Sequence, residues 1–216
     1  MKITDYKTIV FDCDGVVLDS NKVKTTAFYK AALPYGEEKA QSLVDYHVAR
    51  GGISRYKKFE WFIEQCKGIK GPTLTELLDT YAKEVEVGLL SCKIVDGLEL
   101  LKEQTGNANW LIVSGGAQHE LRDVFSKRGI DSLYDGGIFG SPDTKDEILA
   151  REIANANIKL PALFIGDSKY DFEAATNANL DFIFMTNWSE VNDLDAWLKD
   201  QNIQHKKSVY NLLCKS

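Results

Sequence analysis

Ile9-Val10-Phe11-Asp12-Cys13-Asp14-Gly15-Val16-Val17-Leu18-Asp19-Ser20 is the stretch on which the reading of this chain turns. Thr8-Ile9-Val10-Phe11 forms a short apolar run of the kind found in a strand covered on both faces. It runs directly into two carboxylates, Asp12 and Asp14, with Gly15 to turn the chain. Paired acids beside an apolar strand cost free energy unless something compensates them. A hard cation would do so, since magnesium takes oxygen ligands and keeps water and substrate phosphate in its shell. Taken alone, the same residues also fit a plain acidic turn that ends a strand.

Three more apolar runs follow the same form: Trp110-Leu111-Ile112-Val113, Leu163-Phe164-Ile165 and Asp181-Phe182-Ile183-Phe184-Met185. Between them lie helical patterns at Leu98 to Gln104, Glu120 to Arg128, Lys145 to Asn157 and Asp171 to Asn177. This alternation predicts an α/β protein with an open parallel sheet and crossover helices. The rhythm breaks between about Ser20 and Val95, where four helical stretches occur without a strand: Lys22 to Leu33, Glu37 to Ala49, Ser54 to Cys66 and Thr73 to Leu90. Such a length of helix is too long for a loop. It predicts a helical subdomain at the sheet's C-terminal edge, where open α/β sheets bind ligands. The tail from Trp197 to Ser216 reads as a terminal helix with a short ending.

Length and composition agree with a globular core. The chain has 216 residues, 44% hydrophobic and 27% charged, which is close to the soluble average. With 26 Lys and Arg against 32 Asp and Glu, the net charge is −6, and no basic run suits a nucleic-acid arm. No apolar run is long enough for a membrane span, and no secretory leader is visible. Cys13, Cys66, Cys92 and Cys214 lack CxxC spacing, so reduced thiols in the cytoplasm are expected. His47, His119 and His205 are too dispersed to suggest a metal cluster.

Three later stretches add chemistry to the acid pair. Leu111-Ile112-Val113-Ser114-Gly115-Gly116 carries a strand into a hydroxyl and two glycines, whose bare amides suit phosphate oxygens as well as a helix cap. Lys145 stands near the start of a helix in Ser141-Pro142-Asp143-Thr144-Lys145-Asp146. Leu163-Phe164-Ile165-Gly166-Asp167-Ser168-Lys169-Tyr170-Asp171 ends a strand on Gly-Asp and adds a second acid where the next helix opens.

In this order the four stretches resemble the motifs of the haloacid dehalogenase superfamily of phosphotransferases, and the resemblance spans nearly the whole chain. It implies a Rossmann-like core with helices on both faces, residues 1–18 and 96–216, and an inserted helical cap, residues 19–95. It implies that Asp12 is the nucleophile, forming an aspartyl-phosphate, and that Asp14 is the acid and then the base. Ser114, Gly115 and Lys145 would bind the phosphoryl group and balance its charge. Magnesium would be held by the Asp12 carboxylate, the Asp14 backbone carbonyl and the Asp167 carboxylate, with Asp171 behind them. An acid at Asp14 is typical of the family's phosphatases and mutases, whereas its dehalogenases and ion pumps lack it. The family often has proline after the lysine of its third motif. Here Asp146 follows, and it is expected to face solvent as a helix N-terminal charge.

The resemblance therefore implies a magnesium-dependent phosphomonoesterase acting on a small phosphorylated metabolite. Its rivals are a sugar phosphomutase with the same aspartyl-phosphate, an idle binding protein of the same fold, and a receiver-like signalling module. Substrate choice would fall to the cap. Its segment His47-Val48-Ala49-Arg50-Gly51-Gly52-Ile53-Ser54-Arg55-Tyr56-Lys57-Lys58 either presents Arg50, Arg55 or Lys58 to an anionic substrate or is a solvated turn. Arg55 is the residue expected to meet a substrate carboxylate or second phosphate. Phe28, Tyr29, Phe59, Trp61 and Phe62 have the helical spacing of core packing between cap helices.

Overall fold

The computed structural model describes residues 2–213. Its six strands are β1 (Thr8–Phe11), β2 (Asn109–Ala117), β3 (Gly137–Ser141), β4 (Ala162–Gly166), β5 (Asp181–Met185) and β6 (His205–Lys206). All pair in parallel, in the order β3-β2-β1-β4-β5-β6. The chain winds outward from β1 to β3 and then returns to the other side of β1. That reversal opens a crevice at the C-terminal end of β1, directly beyond Phe11, where such sheets bind ligands.

Side chains along a strand point alternately to the two faces, and the core divides accordingly. Ile9, Phe11, Trp110, Ile112, Leu163 and Ile165 face one layer, which includes α5 (Leu98–Gln104) and α6 (Gln118–Lys127). Val10, Leu111, Val113 and Phe164 face the other, against α7 (Lys145–Ala154) and α8 (Lys169–Asn177). A run apolar at every position is what burial on both faces demands.

The helical insert consists of α1 (Asn21–Ala32), α2 (Glu37–Ala49), α3 (Arg55–Gln65) and α4 (Leu74–Ser91). Thr73 and Glu76 form the reciprocal cap that their spacing suggests, the Thr73 amide donating to Glu76 Oε2 at 2.8 Å. Aromatic rings join the helices, as their spacing predicts: Phe28 lies 5.1 Å from Phe59 and 4.4 Å from Tyr81, and Tyr46 stacks on Trp61 at 3.8 Å. The insert leaves and rejoins the sheet through one narrow neck. There the Val95 amide donates to Val17 O and the Asp19 amide to Lys93 O, both at 2.9 Å.

Three features depart from the sequence reading. β3 is an additional strand at the sheet edge, hidden in the sequence because Gly137 and Gly140 interrupt its apolar signal. The tail does not end in a terminal helix: α9 (Leu194–Asp200) starts earlier, and the chain then returns to the sheet as two-residue β6 before a 3-10 turn at Val209–Leu212. Residues 214–216, with Cys214, lie outside the described part. β5 is buried only at Phe184 and Met185, because β6 is too short to shield its first residues. Among the described residues Cys13, Cys66 and Cys92 form no disulfide, and no helix is long and apolar enough to cross a membrane.

Candidate active site

Each strand of the central trio delivers a polar group to the crevice. Asp12 follows β1 directly and is 3% exposed. Its carboxylate Oδ1 accepts from the Cys13 amide at 2.8 Å and lies 3.0 Å from Lys145 Nζ. Lys145 comes from the first turn of α7, which Thr144 and Glu147 start with a reciprocal cap. The same ammonium also pairs with Asp171, and all three side chains are enclosed.

Asp171 has both oxygens engaged. Oδ1 meets Lys145, while Oδ2 accepts from the Asp167 amide at 3.2 Å, the Ser168 amide at 3.0 Å and the Ser168 hydroxyl at 2.7 Å. It is built to hold Lys145 and the β4–α8 turn in place. Asp167 is freer: its Oδ2 accepts from Asn21 Nδ2 at 2.7 Å. Asp12, Asp167 and Asp171 each offer an oxygen within 4.8 Å of the others, all three residues buried.

Asp14 turns toward the insert. Its carboxylate accepts from Ser20 Oγ at 2.5 Å and pairs with Lys24. It therefore stands outside the three-acid group, and a metal contact from Asp14 would use its backbone carbonyl. Gly15 makes the turn possible with φ of +73°, and a Cβ there would lie 2.0 Å from Asp167 Oδ2. Ser114 is fully buried in β2, and its Oγ accepts from the Gly116 amide at 3.1 Å.

The electrostatics are those of an acid cluster short of positive charge. Burial raises the Asp12 carboxyl to about 7, with Lys145 opposing and Asp171 and Asp14 adding to the rise. Burial, then Asp12 and Asp171, hold Asp167 well above its ordinary range. Burial also works on Asp14, but Lys24 and Ser20 outweigh it and keep that carboxyl low. On Lys145 burial opposes the charge, and Asp12 with Asp171 raises its pKa nonetheless. Fully ionised, Asp12, Asp14, Asp167 and Asp171 would exceed Lys145 and Lys24 by two negative charges, which matches one divalent cation displacing the protons of Asp12 and Asp167. The all-oxygen donor set suits a hard ion such as magnesium.

The insert forms the other wall. Its Gly51-Gly52 turn lies on the core rather than in solvent: a Cβ on Gly115 would meet Gly52 O at 2.3 Å, and one on Gly52 would meet Ser168 Oγ at 3.0 Å. The cavity between the two walls is lined by Asp12, Asp14, Gly115 and Asp167 on the core side and by Lys24, His47, Arg55 and Lys58 on the insert side. Of the three cations considered in this segment, Arg50 is exposed and Arg55 and Lys58 are buried. Arg55 Nη2 lies 2.5 Å from Glu120 Oε1 of α6, so half its guanidinium is committed to the protein's own carboxylate. Asp146 does not point freely into solvent as expected. It accepts from the Tyr170 hydroxyl at 2.7 Å and Asn177 Nδ2 at 3.0 Å, joining α7 to α8.

Asn21, Lys24 and His47 join the site without a motif of their own in the sequence. Asn21 and Lys24 are three apart at the start of α1, hence on one helical face, immediately after the acid pair. That spacing was the available signal. His47 gave none.

A family model described as a haloacid dehalogenase-like hydrolase matches residues 6–179. No curated protein matches the chain. Among solved structures, a predicted phosphatase from Clostridium acetobutylicum is 22% identical with a TM-score of 0.73, covering 96% of both chains. A predicted phosphoglycolate phosphatase from Haemophilus somnus is 19% identical, TM-score 0.65, covering 85% of this chain and 86% of the other. A protein from Thermotoga maritima, provisionally named a beta-phosphoglucomutase, is 19% identical, TM-score 0.66, covering 96% of both. At such identities these structures speak to the fold alone.

Proposed function

The chain belongs to the haloacid dehalogenase-like hydrolase family, and from that premise we propose that it is a magnesium-dependent phosphomonoesterase for a small phosphorylated metabolite. The observation that carries the proposal is the buried Asp12 carboxylate held 3.0 Å from Lys145, within the Asp12–Asp167–Asp171 group. In this reading residues 1–18 and 96–216 are the catalytic core and 19–95 a cap over it.

Asp12 attacks phosphorus, and the ester oxygen departs with a proton from Asp14, leaving an aspartyl-phosphate. Asp14 then takes a proton from the water that attacks this intermediate, which releases inorganic phosphate and restores the Asp12 carboxylate. Lys145 offsets repulsion between Asp12 and an incoming phosphate dianion. The Ser114 hydroxyl and the Gly115 amide donate to phosphoryl oxygens as charge shifts among them. Magnesium, held by the carboxylates of Asp12 and Asp167 and the Asp14 carbonyl, would supply positive charge opposite the same oxygens. Asp171 positions Lys145. The cap supplies one wall of the cavity, which favours a small substrate over a macromolecule.

The test is phosphate release from a panel of small phosphomonoesters with and without magnesium, alongside Asp12→Asn. Release that needs magnesium and disappears in Asp12→Asn is expected. An isomerised sugar phosphate without net release would replace hydrolysis by a phosphomutase activity. No turnover by folded, magnesium-loaded protein would make it a binding protein of this fold.

A further inference from the structure

The insert side of the cavity holds hydrogen-bond donors that the protein leaves unanswered. Lys58 is 2% exposed, and its Nζ lies 2.7 Å from His47 Nδ1. Among the described residues no carboxylate pairs with it. Burial lowers Lys58 to about 7; in its charged form the ammonium has only protons to offer, so His47 Nδ1 then accepts. Burial, with Lys58 and Lys24 adding to it, keeps the imidazole neutral, so opposite the charged Lys58 its one proton sits on Nε2. That Nε2 is buried without a partner, and so is Arg55 Nε, whose guanidinium is bound to Glu120 only through Nη2. His47, Arg55 and Lys58 all line the cavity that contains Asp12 and Asp14.

A buried cation without a counter-charge and a buried N–H without an acceptor each cost free energy. Here they occur together, on one wall, around one opening. The other wall cannot answer them. Asp12 and Asp171 engage Lys145, Asp14 engages Lys24 and Ser20, and Glu120 engages Arg55. Of the two remaining acids of the lining, Asp167 accepts from Asn21 Nδ2 at 2.7 Å and Glu190 from Thr25 Oγ1 at 2.9 Å. The Phe28 ring packs 4.5 Å from His47 and 5.6 Å from Lys58 Nζ, so that this neighbour offers them apolar surface and no acceptor. What these donors lack is an oxyanion brought in from outside.

We propose that Lys58 and His47 are specificity-determining residues that bind a second anionic group, a carboxylate or another phosphate, carried on the alcohol portion of the substrate. This rests on the phosphomonoesterase reading and narrows its substrate class to phosphate esters that carry a second anionic group. Lys58 supplies the counter-charge, and His47 Nε2–H supplies a neutral donor. Arg55 Nε–H stands beside them as a third. The molecule is thereby polarised: its reacting phosphoryl group lies on the core side, and its second anion on the insert side.

A matched series separates this inference from the reading beneath it. Ethylene glycol carrying one phosphate, ethylene glycol carrying two, and glycolic acid phosphate share one frame and differ only in the distal group. The same series is run on four- and six-carbon frames to cover the span. The wild-type enzyme should favour a member with a distal anion over its hydroxyl counterpart by at least tenfold in kcat/KM. The preferred member identifies carboxylate or phosphate. In Lys58→Met that preference should fall by at least tenfold, with the loss in KM for the anionic member. His47→Gln, whose amide keeps a donor, should retain more of the preference than Lys58→Met does. Magnesium- and Asp12-dependent turnover of the hydroxyl members at equal or higher kcat/KM would overturn the inference and leave the phosphomonoesterase standing. Lack of turnover of every member and of p-nitrophenyl phosphate would overturn both. The wild-type panel decides this even if a variant does not fold.

Discussion

Removing divalent cations while raising the pH tests the acid cluster directly. Asp12 rises from 3.8 to about 7 in the folded protein. A carboxyl whose folded pKa lies above its unfolded one leaves the folded state holding the extra proton, so stability falls as pH climbs between the two values. Between pH 5 and pH 7 this amounts to roughly two pH units at about 1.4 kcal/mol each, or about 3 kcal/mol. Asp167, raised in the same way, adds in the same direction. His47 opposes the trend: its folded pKa lies well below 6.5, so its contribution is lost as pH falls. Lys58, lowered to about 7 chiefly by burial and Lys24 with Asp14 and Glu190 opposing, contributes above that pH. The burial contributions of His47 and Lys58 cancel when the same protein is compared with and without magnesium. The assay is therefore the difference in unfolding free energy between saturating magnesium and EDTA, from urea melts at half-unit pH steps. Stabilisation by magnesium should grow by about 3 kcal/mol from pH 5 to pH 7.5, roughly 6–12 °C in Tm for a chain of this size. Asp12→Asn should lose most of that growth. A difference that stays flat across this range would refute the assignment of the cluster, as would growth in Asp12→Asn as large as in the wild type.

Two substitutions probe the turn around the acid pair. Gly15→Ala forces a side chain into φ +73° and places its Cβ 2.0 Å from Asp167 Oδ2. About 1–2 kcal/mol of stability should be lost to backbone strain, together with magnesium affinity measured by titration calorimetry. Lys24→Met removes the cation that holds Asp14 low. The Asp14 pKa should then rise, moving the alkaline limb of the kcat/KM–pH profile to higher pH. A limb that stays in place would take proton transfer away from Asp14.

The legible parts of the fold were the strands with unbroken apolar runs, which include β5 although it is buried only at Phe184 and Met185. β1, β2 and β4 read as unbroken apolar runs because helices cover both faces, whereas glycine-rich β3 and two-residue β6 carry too little pattern to register. Asp12, Lys145, Asp167 and Asp171 could be found because each stands where a strand ends or a helix begins, and parallel topology gathers those points. The insert side was harder. The charges of Arg55 and Lys58 were visible, but their partners are not local. Glu120 lies in α6, and His47 reaches Lys58 from the preceding helix. Those meetings depend on how the insert folds back over the neck, which local spacing does not encode.

The central position of β1 also bears on how the protein is made. Thr8 pairs with Asn109 on one side and Ala162 on the other, so the strand that anchors the sheet leaves the ribosome long before either neighbour. At about 5–20 residues per second the first partner is some 5–20 seconds behind. During that interval Ile9, Val10 and Phe11 have no sheet to join, while α1–α4 can already pack through Phe28, Phe59 and Tyr81. Synthesis therefore favours an order in which the insert consolidates first and the sheet assembles around a waiting strand. A chain halted before Asn109 would carry that apolar edge unpaired, open to association with other chains.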